Sequence, residues 1–360
     1  GNDQIGNYNS YSTYASDKYK ASYALDGSNT SAITGFMPNS LGNENVTWET
    51  TKTLNVGVNA TMFKRHLNFS LDVWQRNTSD MLFQKPIPQV AGVIPDAGIP
   101  YINIGEMKNK GYDLELGYNN TALGDKLRYS VNATLSHYKN EIKKLTGEVN
   151  SIQFPGDGNL RQMQYTAFQV GSAFPEFYGY IVDGIFQTQA EANAHPQYGT
   201  TTYNAPGHFK FRDVSGPDGK PDGKITTDDR TWIGSPHPKF TGGLNVDLGY
   251  GDFDLNLFFY GSYGNKLVNY VDRWIDYGMF NGNLSKDALY KTWGSPYLKS
   301  NADASLPMLD QNDISQQPST AFLQDGSFLK LKSLRLGYTV PKNILQKVQI
   351  KNLRIYAQVT

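Results

Sequence analysis

Alternation of apolar and polar residues marks the clearest structural signal in this chain. In residues 53–63 every second side chain is apolar, namely Leu54, Val56, Val58, Ala60 and Met62. Successive side chains of a strand point to opposite faces, so the positions between them form a second face that is polar and uncharged. About eleven residues is also the length with which a tilted strand crosses a bilayer. The segment is therefore predicted to be a strand with one face for each of two environments.

The same alternation recurs seven more times, and each recurrence predicts another strand. These segments are residues 67–73, 112–118, 127–135, 244–250, 253–259, 329–338 and 353–359. Within the seventh predicted strand the apolar parity changes between Lys332 and Ser333, which predicts a β-bulge there. Tight turns join several of these strands as antiparallel hairpins.

The segments between the hairpins are long and show little periodicity. Residues 75–105, 140–238 and 264–320 are predicted as largely irregular connections, and the first holds Pro86, Pro88, Pro95 and Pro100. Short helices are expected near 286–293 and 341–348, and residues 1–46 are expected to be a loop with a short strand near 21–25. Short and long connections thus alternate, as they do in outer-membrane barrels with tight periplasmic turns and long extracellular loops.

Two architectures fit this pattern. In a transmembrane β-barrel the apolar faces contact lipid and the polar faces line a wet lumen. In a soluble all-β protein the apolar faces pack against each other in a sheet–sheet core. The pattern favours the barrel, because a soluble sandwich has turn signals about every 8–12 residues throughout.

Composition narrows the function. The formal net charge of the 360 residues is zero, which gives no electrostatic case for nucleic acid or for an anionic membrane surface. The chain has no cysteine, so it has no disulfide and no thiol nucleophile. No run of about 18 apolar residues predicts a membrane helix, whereas alternation keeps the mean hydropathy of a barrel low, as it is here at −0.51. With neither an initiating Met nor a signal peptide, the chain is expected to be part of a longer protein.

Four stretches resemble SusC/RagA-type TonB-dependent outer-membrane transporters, and they occur in the order in which that family has them. They are residues 43–57 (NENVTWETTKTLNVG), 103–116 (NIGEMKNKGYDLEL), 238–245 (PKFTGGLN) and 326–341, the last followed by Leu353–Tyr356. The resemblance spans nearly the whole chain.

The resemblance implies a fold and a location. The expected fold class is all-β, an antiparallel transmembrane β-barrel of 22 strands, of which this chain supplies about ten. Residues 1–360 are expected to be the C-terminal part of that barrel, with the plug domain and the final strand absent. The expected location is the outer membrane of a Bacteroidetes-type Gram-negative cell, surrounded by outer-membrane lipid.

The resemblance also implies a function. The whole protein is expected to import oligosaccharides or peptides, with no enzymatic activity and no nucleic-acid partner. Its expected partners are a SusD-like surface lipoprotein and the TonB complex, which acts through the missing N-terminal region. The alternative is a soluble all-β module at the cell surface that binds or degrades glycans. A barrel used for surface assembly rather than transport shares the barrel fold.

An Asp- and Gly-rich loop is the candidate metal site. The second half of residues 213–229 is similar to an EF-hand loop, in which hard oxygen ligands surround calcium. The candidate Ca²⁺ ligands are Asp213, Ser215, Asp218, Asp222, Lys224 (through its backbone carbonyl) and Asp229. The insertion of residues 216–221 and the terminal Asp in place of a bidentate Glu depart from the EF-hand pattern. The alternative is a surface loop built from Asx-turns.

Aromatic residues in the long connections are the candidate substrate contacts, because aromatic rings stack on sugars and cover peptide side chains. They are Trp232, Trp274, Trp293, Phe177, Tyr178 and Tyr180. The alternative is that these rings pack the loops together or lie at a membrane interface. The five histidines are scattered and form no metal-binding or catalytic pattern.

Overall fold

One antiparallel sheet of eight strands dominates the computed structural model. The structure describes residues 5, 9–16, 22–23, 33–84, 101–145, 159–160, 163–199, 203–216, 218–278, 282–310, 317–346 and 349–360. The strands of the sheet are β1 (Thr50–Met62), β2 (Leu67–Gln84), β3 (Tyr101–Ala122), β4 (Leu127–Leu145), β5 (Phe240–Tyr250), β6 (Phe253–Tyr263), β7 (Phe328–Thr339) and β8 (Arg354–Val359).

Each strand pairs antiparallel with the strands before and after it in the chain, so the sheet is a meander from β1 to β8. All eight strands predicted from alternation are confirmed. The estimate of about ten strands is not reached within the described residues, where eight belong to this sheet. The predicted bulge is also confirmed, because Phe258 pairs with Ser333 and Phe259 pairs with Leu331, which leaves Lys332 unpaired between them.

The register of the sheet aligns apolar side chains into continuous rows on one face, called here the apolar face. One row runs through Val58, Leu71, Leu114, Leu135, Gly242, Gly261 and Leu329. Another runs through Met62, Leu67, Tyr118, Val131, Val246, Leu257, Leu334 and Val359. The opposite face, called here the polar wall, carries the alternate residues.

Aromatic rows bound this apolar face at both ends. Near the long connections Phe240 stacks on Tyr263 with ring centroids 5.0 Å apart, and near the tight turns Phe253 lies 4.8 Å from Tyr338. Phe240 and Tyr250 are the two ends of β5, about 33 Å apart along an extended strand. At the usual tilt of about 40° this spans about 25 Å, the height of the apolar band of a transmembrane barrel.

Several strands are longer than predicted, and β2, β3 and β4 exceed their predicted ranges most. The prediction of a loop over residues 75–105 is wrong for both ends of that range, since β2 continues to Gln84 and β3 begins at Tyr101 rather than near 112. Likewise β4 continues to Leu145. Beyond the aromatic row both faces carry polar residues, so alternation disappears although the backbone ladder continues. The four prolines of this connection lie outside the described residues.

The two longest connections fold together into one unit, called here the loop cap (residues 163–234 and 266–325). The expectation that these segments are mostly irregular is wrong. Buried side chains from both connections form a common core, composed of Met163, Tyr165, Phe177, Tyr180, Ile185, Phe209, Phe211, Ile225, Tyr277 and Phe322. Apolar side chains are dense enough to fold the connections, but they follow no single period that reveals a strand or a helix.

Short elements build the loop cap. Its antiparallel pairings join Thr166–Ala167 to Glu176–Gly179 to Thr231–Gly234, Val182–Ile185 to Phe209–Phe211, and Lys266–Val268 to Leu323–Asp325; Gln197–Tyr198 pairs parallel with Lys224–Ile225. Its α-helices are α1 (Gln189–Ala194), α2 (Tyr270–Ile275) and α3 (Lys286–Lys291), and its 3₁₀ turns are Thr227–Asp229, Asn301–Asp303 and Thr320–Phe322. The helix predicted near 286–293 is thereby confirmed.

The remaining elements are small. Thr13–Ser16 pairs with Phe36–Ser40, Ser22–Tyr23 with Ile33–Thr34, and Met163–Gln164 with Asn159–Leu160. The predicted strand at 21–25 is confirmed for Ser22–Tyr23, and its other residues lie outside the described ones. Helix α4 (Lys342–Leu345) begins after Pro341 as predicted. Among the described residues, no helix combines the length and the apolar character needed to span a membrane.

Two consecutive residues of β1 test which face meets lipid. Ala60 belongs to the apolar row that includes Leu116 and Leu244, near the middle of the band, and Asn59 lies on the polar wall. In the whole protein folded into lipid vesicles, Ala60→Lys is expected to lower the free energy of unfolding by about 2–4 kcal/mol, because it places a charge in hydrocarbon. Asn59→Lys is the control and is expected to cost little. Equal costs in denaturant titrations would contradict the assignment of the faces.

Candidate functional site

The polar wall carries an acidic patch on β2 and β3. Asp72 and Asp113 are cross-strand partners, and Glu115 follows on the same face. Asp72 accepts a hydrogen bond from Asn55 Nδ2 at 3.2 Å, and Asp113 accepts one from Trp74 Nε1 at 2.8 Å. These donors partly compensate the repulsion that two carboxylates directly opposite each other experience.

A basic patch lies across the wall on β7 and β8. Arg354 makes a bidentate contact with Asp254, with Nε at 3.0 Å from Oδ1 and Nη2 at 2.5 Å from Oδ2. The contact passes over Gly337, where a Cβ would clash with both side chains. Arg335 is the cross-strand partner of Asn256 on the same face. The acidic pair of β2 and β3 and the arginines of β7 and β8 thus lie on different parts of the wall, the arginines beside Asp254.

An aromatic and cationic patch on the same wall was missed by the sequence analysis. Lys332 Nζ lies 6.0 Å from the ring centroid of Phe258 and 5.8 Å from that of Tyr260, and Lys330 Nζ lies 5.3 Å from that of Phe328. Phe258 and Tyr260 have the same strand parity as Asp254 and Asn256, so the sequence itself places their rings on the polar wall. Rings beside cations form a surface that binds flat, polar molecules.

Four of the predicted substrate contacts belong to the interior of the loop cap. Phe177, Tyr178 and Tyr180 are buried, and Tyr180 is only 2% exposed. Trp232 packs edge-on against Tyr178 with ring centroids 5.2 Å apart. Burial raises the pKa of Tyr180 well above its usual range. The structure brings these rings together as packing, and contact with a substrate stays a prediction.

The other two predicted substrate contacts are separate from this group. Trp293 is half-buried against the core of the loop cap, and its Nε1 donates to Gln187 Oε1 at 3.2 Å. Trp274, on α2, is half-buried beside Tyr270 with ring centroids 6.3 Å apart. The structure thus does not gather the six aromatic residues into one site.

The acidic loop is organised by its own backbone. Asp229 is completely buried and accepts backbone N–H groups from Val214 at 2.7 Å, Ser215 at 3.2 Å and Thr226 at 2.7 Å. Asp213 accepts the N–H groups of Asp222 at 3.3 Å and Gly223 at 2.8 Å, and Asp222 accepts that of Lys224 at 3.0 Å. These carboxylates act as Asx-type turn formers.

The donor set of this loop does not fit a calcium site as arranged. Nowhere in the described ranges do three His, Asp or Glu side chains gather around a point where a metal ion fits. The oxygens of Asp213 and Asp229 face backbone N–H groups, whereas calcium needs six to eight oxygens turned toward it. Calcium binding stays a prediction of the sequence.

A cavity of about 450 Å³ opens on the polar wall beside the tight turns. It is lined by His66, Asn119, Arg128, Ser130, Asp247 and Asp254, among others. A second cavity, of about 380 Å³, lies between the two connections of the loop cap, where Asp183, Asp272, Tyr277 and Thr320 are among its lining residues. Both are in the size range of small-molecule sites.

The pKa values of the two carboxylates in the loop-cap cavity are shifted in opposite directions. Hydrogen bonds from the Arg212 guanidinium hold the pKa of Asp183 below its usual range. Burial raises the pKa of Asp272, and the charges of Asp276 and Asp287 raise it further. Gln324 Nε2 donates to Asp272 at 3.0 Å. Asp272 is therefore the carboxylate whose charge the cavity stabilises least.

The fold and the two-faced wall define a transmembrane antiparallel barrel, and comparison with known proteins assigns its family. The family described as TonB dependent receptor-like, beta-barrel matches residues 4–215. The chain therefore belongs to the TonB-dependent receptor β-barrel family, whose members are outer-membrane proteins. The barrel is thus favoured over the soluble all-β alternative that the sequence left open.

Relatives of known name agree with this family. The chain is 32% identical over 349 residues to TonB-dependent receptor P3 of Formosa agariphila, covering 96% of the chain and 32% of the relative. It is 28% identical over 327 residues to TonB-dependent receptor SusC of Bacteroides thetaiotaomicron, covering 88% of the chain and 29% of that relative. The chain spans about a third of the length of these relatives. They are named as receptors rather than as enzymes.

A solved structure shows the same fold. The structure of the RagAB peptide transporter matches with a TM-score of 0.73 at 24% identity, and the match covers 99% of this chain and 34% of that one. The barrel fold predicted from alternation and from the resemblance is confirmed.

Asp229 is expected to be essential for the stability of its loop. Asp229→Ala leaves three buried N–H groups without their acceptor and is expected to cost about 3–5 kcal/mol of local stability. The adjacent Asp228 is exposed, so Asp228→Ala is the matched control. The rate of limited proteolysis within residues 213–229 measures the effect. Similar cleavage rates in the two variants would show that the buried carboxylate is dispensable.

Asp272 gives a pH-dependent prediction. Its folded pKa is raised, so its contribution favours the fold below the ordinary carboxyl pKa and is lost as pH rises through the folded value. Asp272→Asn is expected to slow proteolysis of the loop cap at pH 7 and to make little difference in acid. Asp303→Asn, at an exposed position of the same connection, is the control. A destabilising effect of Asp272→Asn at pH 7 would refute the argument.

Calcium binding can be measured directly. If the loop binds calcium, titration calorimetry of the whole protein gives a heat that Asp222→Ala abolishes and Asp228→Ala retains. A heat that is absent in the wild type, or the same in both variants, removes the calcium prediction.

Proposed function

We propose that this chain forms the C-terminal part of the barrel wall and the loop cap of a TonB-energised importer in the outer membrane. The observation that carries the proposal is the two-faced sheet. One face has an apolar band of about 25 Å between aromatic rows, and the other is a charged wall suited to a water-filled lumen. Membership in the TonB-dependent receptor family supports the energy source. The plug and the 22-strand closure that the resemblance implies belong to the same proposal.

The proposed cargo is an oligosaccharide or a peptide, and the proposed partner is a SusD-like surface lipoprotein. The resemblance of the sequence motifs to SusC/RagA-type transporters supports both cargo classes and the partner, and the likeness to the RagAB peptide transporter supports the peptide class. Transport by this chain requires no covalent chemistry. The polar wall and the loop cap bind the cargo reversibly, with the patch of Phe258, Tyr260 and Lys332 as one contact surface.

Uptake assays test the proposal. Cells that lack the gene are complemented with the whole protein, and the uptake of labelled oligosaccharides and labelled peptides is measured with and without TonB. We expect TonB-dependent uptake of one class. Tyr260→Ala is expected to reduce that uptake about two- to tenfold, since it removes an aromatic contact.

The control lies on the other face of the same strand. Leu257→Ala changes the apolar face and is expected to leave uptake unchanged at equal protein levels in the membrane. TonB-independent uptake, or no uptake of either class by wild type, would refute the importer. Co-purification of the whole protein with a SusD-like lipoprotein from the same cells tests the partner separately.

A further inference from the structure

Lysines cluster on the outer side of the sheet just beyond the aromatic row. Following the register outward from Val56, Val73 and Tyr112, the next row on the same face contains Leu54, Gln75, Lys110 and Lys139. The row after it contains Lys52, Asn77, Lys108 and Glu141. Lys52, Lys108, Lys110 and Lys139 are called here the basic band.

Two lysines of the basic band stand directly opposite each other. Lys110 and Lys139 are cross-strand partners on β3 and β4, and both are exposed. Like charges in this arrangement repel and destabilise a strand pair. Glu141, the cross-strand partner of Lys108, is paired with Lys143 at 2.5 Å, and its charge also interacts more weakly with those of Lys139 and Lys110. Among the residues that the structure describes, no carboxylate lies within 4.0 Å of any amino group of the basic band.

A groove leads from these lysines into the apolar band. Its volume is about 510 Å³, and its lining changes from charged to apolar along its length. Lys110, Lys139 and Gln75 lie at one end, and Val56, Val73 and Tyr112 lie at the other. Val56 and Val73 are 63% and 54% exposed. The charged end of the groove thus lies at the level of the membrane surface, and its apolar end lies within the apolar band.

We propose that this groove binds an anionic phospholipid, with the phosphate between Lys110 and Lys139 and an acyl chain along Val73 and Val56. An anion between the two ammonium groups converts their repulsion into attraction. Each lysine near a membrane surface adds attraction for an anionic lipid. The inference rests on the outer-membrane placement in the proposed function and extends it to the lipid that this side of the barrel selects.

A lipid suits this groove better than a soluble anion or a second protein. A soluble phosphate uses the lysines but leaves the apolar end of the groove uncovered. A protein surface would need acidic residues and apolar residues in the same order as the groove, whereas every anionic phospholipid has its negative charge and its chains in that order. The two halves of the groove therefore fit one molecule with both properties.

Native mass spectrometry of the whole protein in mild detergent tests the proposal. After delipidation the protein is given phosphatidylglycerol or phosphatidylcholine, and the lipid retained per protein is counted. We expect the wild type to retain one molecule of phosphatidylglycerol and to retain phosphatidylcholine less. Lys110→Gln with Lys139→Gln is expected to weaken that retention about 25-fold, which corresponds to about fivefold for each lysine.

Controls separate a specific site from general charge. Lys286→Gln with Lys299→Gln makes the same charge change at exposed positions of the loop cap and is expected to retain the lipid. Lys110→Arg with Lys139→Arg keeps both charges and is also expected to retain it. In phosphatidylcholine vesicles at low salt, the double Gln variant is expected to be at least as stable as wild type, because it removes the repulsion between the two lysines.

Each contrary result has a defined meaning. Equal retention of phosphatidylglycerol by wild type and the double Gln variant would overturn the proposal. If millimolar inorganic phosphate displaces phosphatidylglycerol from the wild type, the groove is an anion site and the lipid assignment is wrong. If native mass spectrometry of the delipidated protein shows a dimer that the double Gln variant does not form, the groove binds a second copy of the protein and the lipid assignment is wrong. Absence of wild type from the membrane fraction would refute the proposed function itself.

Discussion

Backbone register is the constraint on which the rest of this structure depends. Each residue of β1–β8 is assigned to the apolar face or to the polar wall by its pairing, and a slip of one residue would exchange the two sets. The tight turns and the bulge at Lys332 keep the sets in phase across the apolar band, and the other register shifts, near Thr78–Leu82 and at Glu106, lie beyond the aromatic row. Charged residues such as Asp113 and Arg354 are tolerated in a membrane-spanning sheet only because this phase places them on the wall.

The wall and the loop cap are stabilised by different physics. Side chains of the wall interact mostly with their neighbours across strands, through pairs such as Asp254 with Arg354. The loop cap is stabilised like a small soluble domain, by a buried aromatic core and by carboxylates such as Asp229 that bind backbone N–H groups. Changes in the loop cap can therefore occur without altering the pairing of the barrel strands.

Much of the wall could be predicted from the sequence, and the limits of that prediction have physical reasons. Strand existence follows from alternation, but alternation requires an apolar environment on one side. The alternation in β2 therefore ends near residue 73, although the strand itself continues to Gln84. The rings of Phe258 and Tyr260 were overlooked because aromatic residues on the wall interrupt the contrast between the faces. Pairing across many residues, such as Asp229 with Val214, leaves no periodic trace at all.

The folding of the two longest connections into one unit has a mechanical consequence. Short links, residues 235–239, 264–265 and 326–327, join them to β5, β6 and β7, while their side chains share a single core. Pulling on one connection would transmit the load through Phe209, Tyr277 and Phe322 to the other. The two connections therefore respond to a load as one body rather than as independent loops.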